Sequence, residues 1–393
     1  MGFIKTRTLP QSYVNTSPTY EIRTLSDFPN QPIDNIIYLE ANTTYRIIGI
    51  VDLLGVRLVC KGIVGILGDT SETSFLYSVG LITQPLITTS YSLVIQNISI
   101  IAVIGFDING GGTAALDWIA VNFLGVLTVG TFKNYSNLVL TLCAWFDTQG
   151  LTIDGTTGTT SIAESLLSCA AGGTLINIAP TAIIQRRFRI KYCAVIIPVG
   201  AVGVNVSAGA SIPNDMHILL DVGFSGGSAN YITGITANDT RSRWDGNRGI
   251  DNSGNSGYYS MYNNATTTVI ATANVFVKIA GTTTPRNLQR FTHTNNRLTY
   301  TGVIVRSFGV WATTSLTAGN NQTLQTEIRH YNSSNVLIDS SASPRSTTSG
   351  TNRAENVVAF LPIIMQTGDY VEVWVANGSK TNVKATELIV MIR

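Results

Sequence analysis

Between residues 151 and 235 a short apolar strand closed by small polar residues keeps returning. It starts at Leu151 (LTIDG), Leu175 (LINIAP), Gly203 (GVNVSAG) and Tyr231 (YITGITA), at nearly even intervals along the chain. An interval of this size suits a chain that goes once round a triangular cross-section and comes back beside its own start, as each coil of a solenoid does. Cys143, Cys169 and Cys193 keep nearly the same beat and read as an inward-facing stack. With Cys60 they are expected to be buried free thiols, because no C-x-x-C and no histidine at ligand spacing accompanies them.

The rest of the chain fits this all-β reading. Short alternating runs bounded by Gly, Asn and Asp recur, and few windows show a helical period. Only 12% of the 393 residues are charged while 44% are hydrophobic, so Thr, Ser, Asn and Gly must build much of the surface. Hydrophobicity this high argues against disorder, and no apolar run is long enough for a transmembrane helix. A soluble chain without membrane insertion is expected. The net charge of +2 gives no whole-molecule reason for a nucleic-acid partner. No secretory signal is visible, which points to synthesis in the cytoplasm.

Three parts are predicted. Residues 1–35, with Pro10, Pro18, Pro29 and Pro32 and no strand rhythm, read as an extended N-terminal arm. Residues 36–250 read as the solenoid, ending in the charged, Gly- and Asn-rich stretch NDTRSRWDGNRGIDNSGNSG. Residues 251–393 hold eight longer alternating strands, the number of a jelly roll. Near their end, in TGDYVEVWV, Gly368 can take the positive φ of a tight turn and Asp369 can bond the turn's own backbone. Beyond that turn Val371, Val373 and Val375 face one way, and Tyr370, Glu372 and Trp374 the other.

That stretch resembles the closing strands of the C1q/TNF-like jelly roll, with Met365 at the leucine position of L-x-x-G-D-x-V. FTHTNNRLTYTG, TAGNNQTL, TTSGTNRAENVV and TGDYVEVWVANGS resemble the C-terminal domains of bacteriophage tail-fibre and spike-like proteins. Residues 36–85 resemble the opening coils of the β-helix joined to them. What the resemblance implies is a right-handed parallel β-helix of the pectate-lyase-like kind followed by a C-terminal antiparallel jelly roll. It further implies a homotrimer on a virion, displayed on the tail or capsid exterior. The arm would join another virion protein, and the head would meet a host cell-surface glycan or protein receptor.

Candidate sites follow from residue type. QRRFRIKY is the one basic cluster, and alternation puts Arg187, Arg189 and Lys191 on one face opposite Phe188, Ile190 and Tyr192. That stripe suits anionic glycans, an acidic surface of a neighbouring subunit, or plain solvation. In the head, Asn320 and Asn321 of TAGNNQ and Asn332, Ser333, Ser334 and Asn335 of HYNSSN are the expected receptor contacts, being polar loop residues between firm strands. Tyr258, Tyr259, Tyr262 and Trp311 suit sugar stacking or a trimer interface.

A depolymerase needs two carboxylates about 5 to 10 Å apart. Residues 81–185 carry six charged side chains, Asp107, Asp117, Lys133, Asp147, Asp154 and Glu164. Asp107, Asp147 and Asp154 stand in turn-like contexts, and His217, His293 and His330 have no evident partner. No cofactor and no metal are expected. The sequence is therefore read as a non-enzymatic structural and receptor-binding protein. A depolymerising tailspike, a purely structural virion protein and a bacterial adhesin are the competing readings.

Overall fold

The computed structural model describes residues 18–78, 80, 83–212, 217–236, 239, 242–250, 252–342, 344–351 and 353–393, with only the backbone at 217, 218, 242 and 243. Two compact units divide near residue 250. The first holds the described residues up to Thr236 together with 242–250, and the second those from 252 onward. Among the described residues there is no α-helix, and so none that could cross a membrane.

The first unit is a parallel β-solenoid. Nine strands, from Ile36–Leu39 to Asn230–Thr233, form its first face, and ten, from Thr19–Ile22 to Ser242–Asp245, form the second. Short strands such as Ala144–Thr148, Leu166–Cys169, Ala194–Ile196 and Gly223–Ser225 make the third. Register fixes the coil length. Leu93 pairs with Leu116, Leu116 with Leu138, Leu138 with Thr160 and Thr160 with Phe188, so the coils are nearly equal until the last of these steps, which is longer. The repeat seen in sequence is this ladder. Ile176 pairs with Val204 and Val204 with Ile232, two steps of one length, while Leu151 pairs with Ile176, one position further than the pattern suggested.

Inside, like stacks on like. Ile95, Trp118, Leu140, Ile162, Ile190, Leu219 and Trp244 are successive partners along one buried row. Phe106 and Phe132 pack on Trp118 at ring-centroid distances of 4.3 and 5.4 Å. Each coil so filled exposes an apolar end that the next coil covers, and burial of this kind stabilises by about 25 cal/mol per Å².

One residue per coil makes the corner between the second and third faces by turning left-handed: Asn97, Ala120, Leu142, Glu164, Tyr192 and Asp221, with φ between 50° and 57°. The residue after each points inward, giving the buried column Ile98, Val121, Cys143, Ser165, Cys193, Val222. This corrects the cysteine stack. Cys143 and Cys193 share the corner two coils apart with Ser165 between them, whereas Cys169 lies on the third face, paired with Thr148. Cys143 and Cys193 are separated by one short and one long coil, whose sum equals two near-even spacings, so the outer pair matched while the middle member did not. All four thiols are free and buried, and burial pushes Cys60 and Cys143 up to about 12 and Cys169 and Cys193 up to about 11.

Two further expectations change. Thr19–Ile22 pairs in parallel with Thr43–Ile47, so the stretch read as an arm already contributes a strand; its residues 1–17 lie outside the described residues. Tyr192 does not point inward with Phe188 and Ile190. As a left-handed corner residue it is 54% exposed.

The second unit is a sandwich of two antiparallel sheets around one apolar core. The strands 284–289, 256–261, 384–392, 306–317 and 355–365 form one sheet in that order, and 291–294, 297–300, 370–377, 323–331 and 337–340 the main path of the other. The chain crosses repeatedly between sheets, the connectivity of a jelly roll. Val371, Val373 and Val375 face the core as their alternation required. Gly368 takes φ +89° and donates its N–H to the Tyr300 carbonyl, and Asp369 accepts from Gln366 N at 2.9 Å. Asp369 also meets the buried His330 at 3.4 Å, a partner that no sequence pattern signals. His293 likewise has one, Thr283 Oγ1 at 2.6 Å, while the His217 side chain lies outside the described residues.

The corner geometry makes a prediction. A left-handed alanine is strained by roughly 1–2 kcal/mol and glycine is not, although glycine also loosens the unfolded chain. Ala120→Gly is therefore expected to stabilise the solenoid by about 0.5–1 kcal/mol, read as a higher urea midpoint with an unchanged slope.

Candidate functional site

The basic cluster lies on the strand Ile183–Lys191 of the second face. Phe188 and Ile190 point into the core, and Arg187, Arg189 and Lys191 point out, as alternation required. Alternation missed Arg186. The register slips between Thr157 and Thr159 of the neighbouring strand, where Ile184 and Arg187 are the partners, leaving an extra residue in the basic strand. Such a bulge swings neighbouring side chains to one side. Gln185, Arg186 and Arg187 are all exposed in consequence.

Together with Thr159 and Arg189 they line an open depression of about 530 Å³. Arg189 donates from Nε to Ser161 Oγ at 2.7 Å, which fixes the root of the guanidinium. Lys191 stands at the edge, its Nζ 5.5 Å from the centre of the Tyr192 ring. Three guanidinium groups around one hollow suit carboxylate, sulfate or phosphate oxygens, which arginine binds with two parallel hydrogen bonds.

The acidic residues are spread over the three faces. Asp147 is a left-handed residue on the third face that accepts from Ser168 Oγ at 2.7 Å, and Glu164 is an exposed corner residue. Asp154 accepts from Gly155 N and Thr181 Oγ1 and pairs with Lys133 at 3.2 Å; the Thr181 hydroxyl does most to hold its pKa below the usual carboxylate range. Asp107 is an exposed residue within the strand Ile104–Asn109 and not a turn residue. Asp107 and Asp154 share the first face with the strand Thr128–Lys133 between them.

Asp117 differs from the others. It points outward from the second face between Val94 and Val139 on the flanking strands, half-buried, and partial desolvation raises its pKa.

The head candidates separate into two groups. Asn320 and Asn321 precede the strand Thr323–Tyr331, and Asn332, Ser333, Ser334 and Asn335 follow it, so the whole strand, about 30 Å long, lies between. One subunit cannot bring both groups to one ligand of ordinary size. Asn332 accepts through Oδ1 from Ser334 N and Val336 N, and left-handed Asn335 accepts from Tyr370 OH, so these two amides hold the hairpin turn. Asn321 is another left-handed turn residue, its N–H bonded to the Thr348 carbonyl. HYNSSN opens the Ser- and Asn-rich segment HYNSSNVLIDSSASPRSTTSGTNR, of which Ser343 and Asn352 lie outside the described residues.

The other notable surface of the head is apolar. On the outer side of the first sheet Trp311 is 39%, Phe360 49% and Ile364 63% exposed, beside Val358 and Met391. Trp311 and Phe360 are cross-strand partners with ring centres 5.0 Å apart. Gly309 admits this packing, since a Cβ there would meet the Trp311 ring at 2.6 Å. Tyr258 and Tyr262 reach the same side, but Tyr259 is fully buried and unavailable for stacking.

Neither a family model nor a curated protein matches the chain. Among solved structures it is similar to the enzymatically active domain of tailspike protein 4 of bacteriophage CBA120, at 11% identity and TM-score 0.23 over 96% of this chain and 63% of that one. A tailspike of Acinetobacter baumannii bacteriophage Fri1, described as a capsular polysaccharide depolymerase, gives 10% identity and TM-score 0.22 over 96% and 84%. Eiger TNF from S. frugiperda gives 11% identity and TM-score 0.24 over 35% of this chain and 90% of its own. Scores this low transfer no residue role and no activity. The non-enzymatic reading is nonetheless corrected, because solved proteins described as enzymatically active or as a depolymerase stand among these likenesses.

Asp117 yields a prediction with a definite sign. Its folded-state pKa is raised, so its contribution to stability is fully present below the unfolded value and is lost as pH rises through the folded value. Asp117→Asn is therefore expected to raise the melting temperature at pH 7 by about 1–2 °C, with no gain at pH 3. Differential scanning calorimetry at the two pH values reads both.

Proposed function

We propose that this chain is a spike carried by a bacteriophage particle, which grips an acidic surface polysaccharide on the second face of its solenoid and shortens it. The observation that carries the reading is the hollow lined by Arg186, Arg187 and Arg189, built by a bulge in a chain with few charges. Guanidinium groups set side by side on one outward strand present several N–H donors to the oxygens of an anionic chain. The expected receptor contact thus moves from the head loops, where Asn332 and Asn335 spend their amide oxygens on the hairpin turn, to the solenoid.

The head is proposed to be C1q/TNF-like and to assemble three copies of the chain. Its support is the uncharged outer surface around Trp311 and Phe360, which a lone subunit would expose to water. Attachment to another virion protein is assigned to residues ahead of Thr19.

Two experiments test these assignments. On an array of purified bacterial capsular polysaccharides the full chain should be retained by acidic members, less so at high salt, and should release new reducing ends or unsaturated sugars. Arg186→Ala with Arg187→Ala should weaken retention at least tenfold, as two charge-assisted contacts are lost. Retention by neutral members only would overturn the reading. Light scattering should give three times the chain mass of 42.2 kDa, and Phe360→Glu should lower it; a wild-type monomer at micromolar concentration would refute the assembly.

A further inference from the structure

The head has a cleft at the side where both of its sheets end. The strands 337–340 and 355–365 are each the last at one end of their sheet, and a hollow of about 410 Å³ opens between them. That size falls within the roughly 300–1,000 Å³ of small-molecule sites. The shorter strand shapes the mouth. His330 pairs with Asp339 and Tyr331 with Leu337, so Ile338 is an extra residue in the edge strand. A bulge of this kind re-aims neighbouring side chains, and Ile338 and Asp339 both line the hollow although they are adjacent in sequence. Pro362 lines it from the longer strand, and the buried Phe308, Ile363 and His330 make the floor.

His330 is 2% exposed. Its Nε2 stands 3.4 Å from Asp369 Oδ2, which also accepts from Gln366 N. A carboxylate accepts, so Nε2 carries the proton and Nδ1 of the neutral ring keeps a lone pair. No hydrogen bond to Nδ1 exists among the described residues. Asp339 is the cross-strand partner of His330, and such partners share a face with Cβ atoms about 4.5–5.5 Å apart. Asp339 Oδ1 accepts from Ser340 N at 2.8 Å, while Oδ2 has no hydrogen bond or ion pair among the described residues.

Two unused acceptors between apolar walls narrow the ligand. A metal ion would need three converging ligands of the His, Cys, Asp or Glu kind, and no such group exists among the described residues. Asp339 is the one carboxylate that lines the hollow. A primary ammonium matches it better than a hydroxyl does, because it brings three N–H donors and a charge, and charge-assisted hydrogen bonds are the strong ones. The walls of Ile338, Phe308 and Pro362 suit the carbon-bearing face of a ring.

We propose that this cleft binds an amino sugar with a free amino group, its ammonium held between Asp339 and His330 and its ring lying against Ile338, Phe308 and Pro362. The site belongs to the second unit alone and does not depend on the polysaccharide reading of the arginine hollow.

The test is a ligand-observed NMR titration of the full chain. Glucosamine should bind about tenfold more tightly than glucose or N-acetylglucosamine, which keep the ring and lack the ammonium, since one charge-assisted contact separates them. It should also bind more tightly than Nα-acetyl-lysine amide, which carries its ammonium on a flexible chain. Asp339→Asn keeps an acceptor for Ser340 N and should leave the melting temperature unchanged while lowering glucosamine affinity about tenfold. Equal affinity for glucosamine and glucose, or glucosamine binding unchanged in Asp339→Asn, would overturn the site. Nα-acetyl-lysine amide binding as tightly as glucosamine would overturn the sugar in favour of a lysine-bearing peptide.

Discussion

The parallel hydrogen-bond ladder between coils is the constraint on which the solenoid depends. Each strand must lie directly beside its counterpart one coil earlier, so a residue's chemistry has to suit the residues before and after it in a column. Inside, this gives the column from Ile95 to Trp244. Outside, it gives polar columns that satisfy themselves: Asn205 donates to Asn177, and Thr233 donates to Asn205, each at 2.8 Å. A shorter and a longer coil obey the same ladder because the extra residues are placed in corners and bulges.

The change of coil length is also what makes the arginine hollow. Leu138 meets Thr160 across a short coil, but Thr160 meets Phe188 across a long one, and the slip in register falls within the basic strand Ile183–Lys191. An even ladder would place Arg186 and Arg187 on opposite sides. The bulge brings both to one side, where Thr159 of the preceding strand lines the same hollow. The shape of this hollow comes from a defect in the repeat, the kind of place where a β-structure re-aims its side chains.

The head solves a different problem. Its sheets close a core of their own, and the turn at Gly368 and Asp369 ties three parts of it together: the Tyr300 carbonyl, the backbone of Gln366 and the side chain of His330. On the solvent side of the second sheet, Glu372 is 4% exposed and answers Lys278 at 2.7 Å and Arg297 at 3.0 Å, while Tyr331 stacks on Tyr370. That surface is finished by its own side chains. The outer surface of the first sheet is not: Trp311 packs on Phe360, yet Trp311, Phe360 and Ile364 stay 39%, 49% and 63% exposed, and this asymmetry between the two sheets is what the proposed assembly explains.

The alternating strands, the solenoid repeat, the buried thiols, the valine face after Asp369 and the outward direction of Arg187, Arg189 and Lys191 were all legible in the sequence, because each depends on the period of two or on turn chemistry. Tertiary structure decided what depends on register. Ala120, Leu142 and Tyr192 carry no sequence mark of a left-handed corner; only the need to bring each coil back over the last puts them there. The same ladder moved Cys169 off the column of Cys143 and Cys193 and added Arg186 to the basic hollow. Neighbours along a solenoid are a coil apart in sequence, and a single slipped residue changes which side chains meet, so local pattern gives each strand while the stacking alone gives the site.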